Sequence, residues 1–547
     1  MFQIPNDARS KDIVRSVRRI YGPEAEIRIP GAKHKFFRGA PNNLANILGV
    51  DYPLQEQGQW RLSKEDLAWA KPEQIAAVRM FCRNPGLIVS HPTGCGKTFT
   101  SIAAVAAAGV SRVTLVTPSR VIRNFKKTLA KHAPRIAYTV LEGQTPAPPE
   151  EWRWVGPSDS PAKIAIVSWA NLPHWTSTFY ESWANDNCAL VLDEAHRAKS
   201  STRWHAVEDA TGKATFFYND SWAGCCALLS RAHQKRLLLS ATPQSTDRSD
   251  WWAQLDYAEP DAWATYRPFT AEYCGGAAGK YGWDAGGATQ TEEFVARMNL
   301  VQHHVEKKTM PLPRVRIHFE RIPAAQLDLR SGQKSLPRKI PGRDALRQEI
   351  LIAYAAAAKR PWLLDRVPQW CAQGLRTTIF TNRKEEVIRV ELALKSLVPG
   401  GTEIYAVNGN SKDADIDRAL ERYCDTETSN PAVLISTLDL LGEGVDGLHK
   451  VTQNAVFLAI PPTPRQIVQG VGRFHRLEGI EADVWILFGE GLIDEGIVDI
   501  LGSRLQDFNT LLAGDSTIEE LSEKMSDESG GMTKIRAKLL QQYGGIL

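Results

Sequence analysis

The segment from His91 to Thr98 combines the residue types that bind phosphate groups. The glycines at 94 and 96 let backbone N–H groups approach an anion closely. Lys97 can reach the β- and γ-phosphate oxygens of a nucleoside triphosphate, and Thr98 can offer its hydroxyl to Mg²⁺. His91 stands where this motif usually has its first glycine, so an ordinary glycine-rich turn is the alternative. The predicted nucleotide contacts of the segment are Thr93, Gly94, Cys95, Gly96, Lys97 and Thr98.

Two carboxylates follow an apolar run further along the chain. Residues 189–192 (ALVL) lead directly into Asp193 and Glu194. Asp193 is suited to hold Mg²⁺, directly or through water, and Glu194 to polarise the water that attacks a phosphoryl group. The alternative is a buried strand that ends in acids by chance. Together with Lys97, the pair favours a site that hydrolyses a nucleoside triphosphate.

A third group of candidate residues lies near the other end of the chain. Gln469 begins a run that contains Arg473 and Arg476, and the spacing of three predicts both arginines on one face of a helix. Arginines supplied from a separate lobe can stabilise charge on a transferred phosphoryl group. We therefore assign all three residues to the catalytic set. A solvated basic helical turn is the alternative for the arginines.

Two stretches of the chain must position these groups. Each alternates short β-branched runs with helix-like segments, a pattern typical of a parallel sheet with covering helices. The predicted strands of the first stretch lie at about 112–116, 163–167, 189–192 and 236–239, and those of the second at about 377–380, 433–435 and 484–487. The fold class is therefore α/β with two parallel-sheet lobes.

Length and composition limit the class of protein. A chain of 547 residues is too long for one hydrophobic core, and 43% hydrophobic with 23% charged residues is typical of a soluble globular protein. No run is long enough to span a membrane, and the charged start does not look like a signal peptide. Eight cysteines without a C-x-x-C pair indicate reduced thiols and no structural metal. We expect a cytoplasmic protein, nucleoid-associated or, if viral, in the host cytoplasm.

The net charge of +4 is modest, so nucleic-acid binding must depend on local patches. The first forty residues carry an excess of basic groups, and residues 35–38 (KFFR) interleave them with aromatic rings. This small N-terminal module is a candidate DNA contact, with a solvated basic face as the alternative.

Taken in order, these motifs resemble those of superfamily-two helicases and translocases. The resemblance implies two tandem RecA-like lobes that bind ATP and Mg²⁺ in the cleft between them. It also implies adenine reading by Gln74, in residues 71–74 (KPEQ), and a ribose contact by Asp446, in residues 442–446 (GEGVD). Side chains that hold a nucleic-acid backbone without reading sequence are implied at Thr117, Pro118, Arg120, Ser168, Asn171, Asn382, Ser436 and Thr437.

A narrower resemblance, from about Gln74 to Gly514, is to the Swi/Snf-type ATPases, in particular the annealing-helicase branch (HepA-related or HARP proteins). The residues that carry it are YCGG (273–276), GWD (282–284) and GAT (287–289). Two segments differ from that family. It usually has an acidic, methionine-bearing lead-in to the phosphate loop and a Ser-Gly-Thr motif, where this chain has residues 91–93 (HPT) and 240–242 (SAT).

The resemblance implies an ATP-dependent DNA translocase that acts on duplex or forked DNA, with single-stranded DNA a further possible partner and no membrane. One alternative is a DEAH-type helicase that unwinds DNA or RNA. Another is an ATP-switched clamp or scaffold with little turnover. The predicted domains are the accessory module (1–65), lobe 1 (66–248), a helical insertion and linker (249–344), lobe 2 (345–513) and a tail (514–547).

Overall fold

The structure is a computed structural model of the chain, and it describes most residues between 70 and 511. The described residues are 2–5, 26–27, 34–37, 70–184, 187–208, 214–244, 246–260, 262–279, 282–305, 312–335, 344–441, 447–461, 463–476, 478–511, 521 and 525. Asp446, most of the predicted accessory module and nearly all of the predicted tail lie outside them. Within the described part, no helix is both long enough and apolar enough to cross a membrane.

Three short strands come from the N-terminal region. They are β1 (Phe2–Pro5), β2 (Glu26–Ile27) and β3 (His34–Phe37). They form an antiparallel sheet with β3 in the centre.

The chain divides into two compact units. The first contains Met1–His91 and Gly96–His304, and the second contains Pro92–Cys95 and Val305–Leu547. The segment predicted as one insertion and linker, residues 249–344, is therefore divided between the two units.

The first unit is built on a parallel sheet. Its strands in chain order are β4 (Gly86–Val89), β5 (Arg112–Thr117), β6 (Ala137–Leu141), β7 (Lys163–Ser168), β8 (Cys188–Asp193), β9 (Trp204–Glu208), β10 (Ala214–Tyr218), β11 (Lys235–Leu239), β12 (Ala277–Gly279), β13 (Gly282–Asp284) and β14 (Gln302–His303). Seven of them form the sheet, in the order β14-β4-β11-β8-β5-β7-β6, and every neighbouring pair is parallel. The other four form two antiparallel pairs, β9 with β10 and β12 with β13.

Helices cover this sheet. They are α1 (Pro72–Arg83), α2 (Lys97–Ala107), α3 (Ile122–His132), α4 (Leu172–Thr178), α5 (Trp222–Ala232), α6 (Trp251–Ala258), α7 (Tyr266–Tyr273) and α8 (Thr291–Val301). Every residue of β4 and β8 is buried, as expected for strands covered on both faces. Each fully buried Val, Leu or Ile side chain contributes about 1.5–3 kcal/mol.

Arg248 fixes the region that follows β11 onto the first unit. Its guanidinium is buried and donates to the carbonyl oxygens of Tyr273 at 3.3 Å and Thr289 at 2.8 Å. It also lies over the ring of Phe294, 5.3 Å from the ring centroid. This charged group is compensated by carbonyl dipoles and a π face, so α7 and α8 are held to the lobe through it.

The second unit contains a second parallel sheet. Its strands are β15 (Val315–Ile322), β16 (Thr377–Thr381), β17 (Glu403–Val407), β18 (Ala432–Thr437), β19 (Asn454–Phe457) and β20 (Ala482–Gly489), in the order β15-β20-β19-β16-β18-β17. All neighbouring pairs are parallel. Its helices are α9 (Leu329–Ser335), α10 (Asp344–Ala372), α11 (Lys384–Lys395), α12 (Asp413–Tyr423), α13 (Leu438–Leu441), α14 (Pro464–Val471) and α15 (Ile493–Leu511). The predicted α/β fold with two parallel-sheet lobes is confirmed.

A fully buried ion pair joins three elements of this unit. The Nζ of Lys359, in α10, lies 2.8 Å from Oδ2 of Asp494, in α15, and both side chains have 0% exposure. Lys359 Nζ also donates to Leu487 O at 2.7 Å, and Asp494 Oδ2 accepts from Gly489 N at 3.1 Å. Because each charge has a further hydrogen bond, the desolvation cost of the pair is partly offset, and α10 and α15 are tied to β20.

Candidate functional site

The phosphate-loop segment leaves the carboxyl end of β4, and α2 begins at Lys97. Gly94 and Gly96 have φ values of 85° and 73°, a left-handed conformation that favours glycine. The Lys97 ammonium turns back over the loop and donates to His91 O at 2.9 Å. Glycines in this conformation, a lysine over the loop and the N-terminus of α2 together form a cradle suited to an anion.

Gln74 lies against this loop. A Cβ at Gly96 would be 2.5 Å from Gln74 Nε2, so any larger residue there would force the Gln74 amide to shift. The Gln74 side chain is buried, and its Oε1 accepts from Lys71 N at 3.1 Å at the start of α1. The structure thus brings Gln74 next to the predicted nucleotide loop, although the two are separated by a strand in the sequence. Its adenine contact stays a prediction.

The two carboxylates lie at the carboxyl end of β8. Asp193 is buried, and its Oδ2 accepts from Thr117 Oγ1 at 2.8 Å. Burial, and then the nearby Glu194 carboxylate, raise the pKa of Asp193. A bound cation would favour the ionised form, so a buried carboxyl of this kind fits a Mg²⁺ site shared with phosphate oxygens. Thr98, the other predicted ligand, is half-buried in the first turn of α2.

Glu194 adopts a strained backbone conformation. Its φ of 55° and ψ of 50° are left-handed, which costs a non-glycine residue about 1–2 kcal/mol. Glu194 Oε2 lies 3.3 Å from Nδ1 of His196, and that ring nitrogen shares a hydrogen bond of 2.9 Å with Ser240 Oγ. Ser240 follows β11, which pairs with β8, with Leu239 opposite Asp193. Strain held in place by the surrounding contacts is typical of functional sites.

His91 occupies the position of the missing first glycine and forms an unexpected contact. Its Nε2 shares a hydrogen bond of 2.8 Å with Nδ1 of His303, the last residue of β14. The next residue, His304, shares a hydrogen bond of 2.9 Å between its Nδ1 and Ser90 O. The strand that joins the sheet beside β4 therefore contacts the loop directly. Sequence reasoning missed this pair, and its only signal was a histidine in place of glycine.

Three buried histidines of this unit predict a pH-dependent stability. Burial lowers the pKa of His303 and of His233 to about 4, and lowers that of His91 well below its ordinary value. In the unfolded chain each titrates near 6.5. Between about pH 6.5 and pH 4 the unfolded state therefore binds more protons, and the free energy of unfolding falls as the pH falls. Each histidine contributes a slope of up to about 1.4 kcal/mol per pH unit.

Denaturant unfolding at several pH values between 7 and 4.5 measures this slope. We expect His303→Gln to have a smaller slope than the unmutated protein. The difference should correspond to about one fewer proton taken up on unfolding. The comparison with a variant is necessary because the raised pKa of Asp193 changes stability in the opposite direction. Equal slopes for the two proteins would contradict the assignment of His303 as a buried neutral group.

The predicted catalytic residues of the second lobe lie at the end of α14 and beyond it. Gln469 is in the helix and buried. The prediction that Arg473 and Arg476 share one helical face is wrong, because α14 ends at Val471 and both arginines follow it. Arg473 is buried and Arg476 half-buried, with its Nε donating to Gly472 O at 3.4 Å. Two glycines (470 and 472) near the helix end lower its helical propensity, which explains the early stop.

The predicted nucleic-acid segments of the first lobe adjoin each other. Thr117 ends β5 and Ser168 ends β7, and the two residues are paired in the sheet. Both are buried, so direct contact of their hydroxyls with a nucleic acid is not supported, and the same holds for Ser436, whose Oγ donates to Thr437 O at 3.0 Å. Pro118 is also buried. The predicted contacts with access to solvent are Arg120, Asn171, Asn382 and Thr437.

Comparisons with known proteins agree with these motifs. Residues 71–250 match the DEAD/DEAH box helicase family. A Caenorhabditis elegans protein, the SWI/SNF-related matrix-associated actin-dependent regulator of chromatin subfamily A-like protein 1 homolog, is 20% identical over 301 residues, 53% of this chain and 41% of that protein. The ATP-dependent RNA helicase DBP6 of Candida glabrata is 24% identical over 174 residues, 29% of this chain and 26% of that protein. The chain thus matches less than half the length of either relative.

Two solved structures are similar over most of the chain. One is S. cerevisiae Dbp5 bound to RNA and ADP BeF3, with a TM-score of 0.44, 12% identity, and coverage of 90% of this chain and 97% of that one. The other is the Sulfolobus solfataricus SWI2/SNF2 ATPase core in complex with dsDNA, with a TM-score of 0.36, 16% identity, and coverage of 87% and 99%.

Proposed function

We propose that this protein, a superfamily-two helicase with a DEAD/DEAH box domain at residues 71–250, hydrolyses ATP in order to move along DNA. The matched family indicates a nucleic-acid-dependent ATPase, and its members use ATP. The finer assignment, a Swi/Snf-type translocase on duplex or forked DNA, is our proposal. It rests on the sequence signature at residues 273–289 and on the SWI/SNF-related relative.

One observation supports ATP hydrolysis above the others. The phosphate-loop segment follows β4 and the carboxylate pair follows β8, and only β11 separates these strands in one parallel sheet. Because the strands are parallel, the loop, Ser240 and the Asp193–Glu194 pair all emerge at the same carboxyl edge. This edge is where open α/β sheets bind their ligands.

The proposed roles of the first lobe follow from this arrangement. Lys97 and the loop N–H groups hold the phosphates, while Thr98 and Asp193 hold Mg²⁺, which neutralises phosphate charge when it is bound. Glu194 orients and polarises the attacking water. Asp193 is hydrogen-bonded and buried deeper than Glu194, so the two carboxylates are held in different environments and can serve different purposes.

The second lobe supplies the remaining roles in this proposal. Arg473 and Arg476 stabilise charge on the transferred phosphoryl group, and Gln469 belongs to the same set. Arginines that engage ATP from a second lobe make the closed state more favourable with ATP than after hydrolysis. Repeated closure then moves the protein along DNA. We also propose that the protein is located in the cytoplasm.

A DEAH-type helicase acting on RNA is the second candidate. The match to ATP-dependent RNA helicase DBP6 and the SAT sequence at residues 240–242 favour it. The SWI/SNF-related match covers more of the chain, 53% against 29%, and this difference is why we prefer DNA. A clamp with little turnover would not need Glu194 together with both arginines.

The polymer that stimulates ATP hydrolysis tests the proposal. We expect duplex or forked DNA to raise kcat at least tenfold over the basal rate, and more than single-stranded RNA of equal length. A non-nucleic polyanion at equal charge concentration serves as the control. Stimulation by RNA alone would support the DEAH-type alternative. Tight ATP-dependent DNA binding without turnover would support the clamp.

A further inference from the structure

Trp169 connects a predicted nucleic-acid segment to the carboxylate pair. It directly follows β7, and its indole is buried with 2% exposure. The indole Nε1 donates to the backbone carbonyl of Asp193 at 2.9 Å. The bond joins residues that are 24 positions apart in the sequence. It fixes the peptide unit between Asp193 and Glu194, the point at which the chain enters its left-handed conformation.

A second bond reaches the same residue from the neighbouring strand end. Thr117 Oγ1 donates to Asp193 Oδ2 at 2.8 Å, and Trp169 N donates to Thr117 O at 3.2 Å. Asp193 is thus held at its side chain by the end of β5 and at its backbone by the residue after β7. Since all these atoms are buried, no water can replace the lost bonds easily.

The residues beside these two anchors reach the surface. Ser119 and Arg120 are exposed two and three positions after Thr117. Ala170 is exposed directly after Trp169, and Asn171 is half-buried, with its N–H donating to Ser168 Oγ at 3.2 Å. A polymer held at these residues would therefore act on backbone that is one to three residues from the anchors of Asp193.

We propose that Trp169 is a positioning residue that transmits nucleic-acid binding at Ala170 and Asn171 to Glu194 through the Asp193 carbonyl. The proposal rests on the proposed function and explains how a bound polymer would stimulate hydrolysis. The polymer fixes the segment after β7, and the indole N–H fixes the peptide before Glu194. The Glu194 carboxylate is then held where it can polarise the attacking water. The two sites are coupled through the hydrogen bonds that Trp169 and Thr117 make to Asp193.

The Trp169→Phe variant separates this bond from simple packing. Phe keeps an aromatic ring against Trp222, whose centroid lies 5.7 Å from that of Trp169, and removes the N–H donor. Trp152→Phe is the matched control, because Trp152 is also buried and its Nε1 donates to Ala147 O at 2.8 Å, in a loop with no predicted role. Both variants lose one indole hydrogen bond to a backbone carbonyl.

Two measurements then decide the question. In Trp169→Phe we expect the DNA-stimulated kcat to fall about tenfold, while the KM for ATP and the Kd for DNA change less than twofold. We also expect faster amide hydrogen exchange at residues 193–196, with or without DNA. Trp152→Phe should show neither effect at a comparable thermal stability.

Unchanged exchange at residues 193–196 in Trp169→Phe would overturn the proposal, as would equal losses of kcat in both variants. An unmutated protein without DNA-stimulated hydrolysis would overturn the proposed function instead. The exchange comparison does not need turnover, so it still shows whether the indole holds the Asp193–Glu194 peptide. The two failures are therefore distinguishable.

Discussion

Replacing Glu194 with Gln is expected to lower the kcat for ATP hydrolysis by about a thousandfold, within the range that general-base catalysis contributes. Gln has nearly the same size and can adopt the same backbone conformation, but its amide cannot accept a proton from water. The KM for ATP should change little, because the phosphates are held by the loop and not by this side chain. Steady-state phosphate release with saturating DNA measures the effect.

The control for this experiment is Glu150→Gln, which makes the same chemical change at an exposed site. It should retain full activity. Normal turnover by Glu194→Gln would remove Glu194 from the catalytic role and, with it, the strongest reason to distinguish a motor from a clamp.

Replacing Lys97 with Ala is expected to lower kcat/KM for ATP by at least a hundredfold. The ammonium is the only proposed side-chain cation in the first lobe for the β- and γ-phosphates, and charge-assisted hydrogen bonds in such sites are strong. The bond from the charged Lys97 ammonium to His91 O is also lost, which costs about 1.5–3 kcal/mol of stability and should leave the lobe folded. DNA binding should largely survive, since Lys97 lies in the nucleotide loop.

ATPase assays and a DNA-binding titration on the same preparation test both halves of this expectation. Lys131→Ala, at an exposed position near the end of α3, is the matched control. If Lys97→Ala hydrolyses ATP at the normal rate, the phosphate-loop assignment is incorrect. If it loses ATP hydrolysis and DNA binding together, the variant must be checked for folding by thermal unfolding.

The regular strands could be predicted from the sequence because the residue pattern that defines them is local. The runs predicted at 112–116, 163–167 and 377–380 are the cores of β5, β7 and β16. Apolar β-branched runs of this length are buried on both faces wherever a parallel sheet is covered by helices.

The strands β14 and β15, at the edges of the two sheets, could not be predicted from such a local pattern. β14 has two residues, and β15 begins within the segment predicted as a helical insertion and linker (249–344). Each is defined by its backbone pairing with a strand distant in the chain, β4 or β20, and not by its own periodicity. The early end of α14 has a local cause instead, the two glycines at positions 470 and 472, which the spacing of the arginines does not take into account.

By itself, the sequence determined the chemical inventory: a glycine-rich loop ending in Lys97, a carboxylate pair at a strand end and distant arginines, a set that resembles the motifs of superfamily-two helicases. Only the tertiary structure decided how the first-lobe groups are held. The His91–His303 pair spans 212 positions and the Thr117–Asp193 bond spans 76. Sequence patterns report burial and local propensity, whereas such bonds depend on strand order, which brings distant residues to one edge of a sheet.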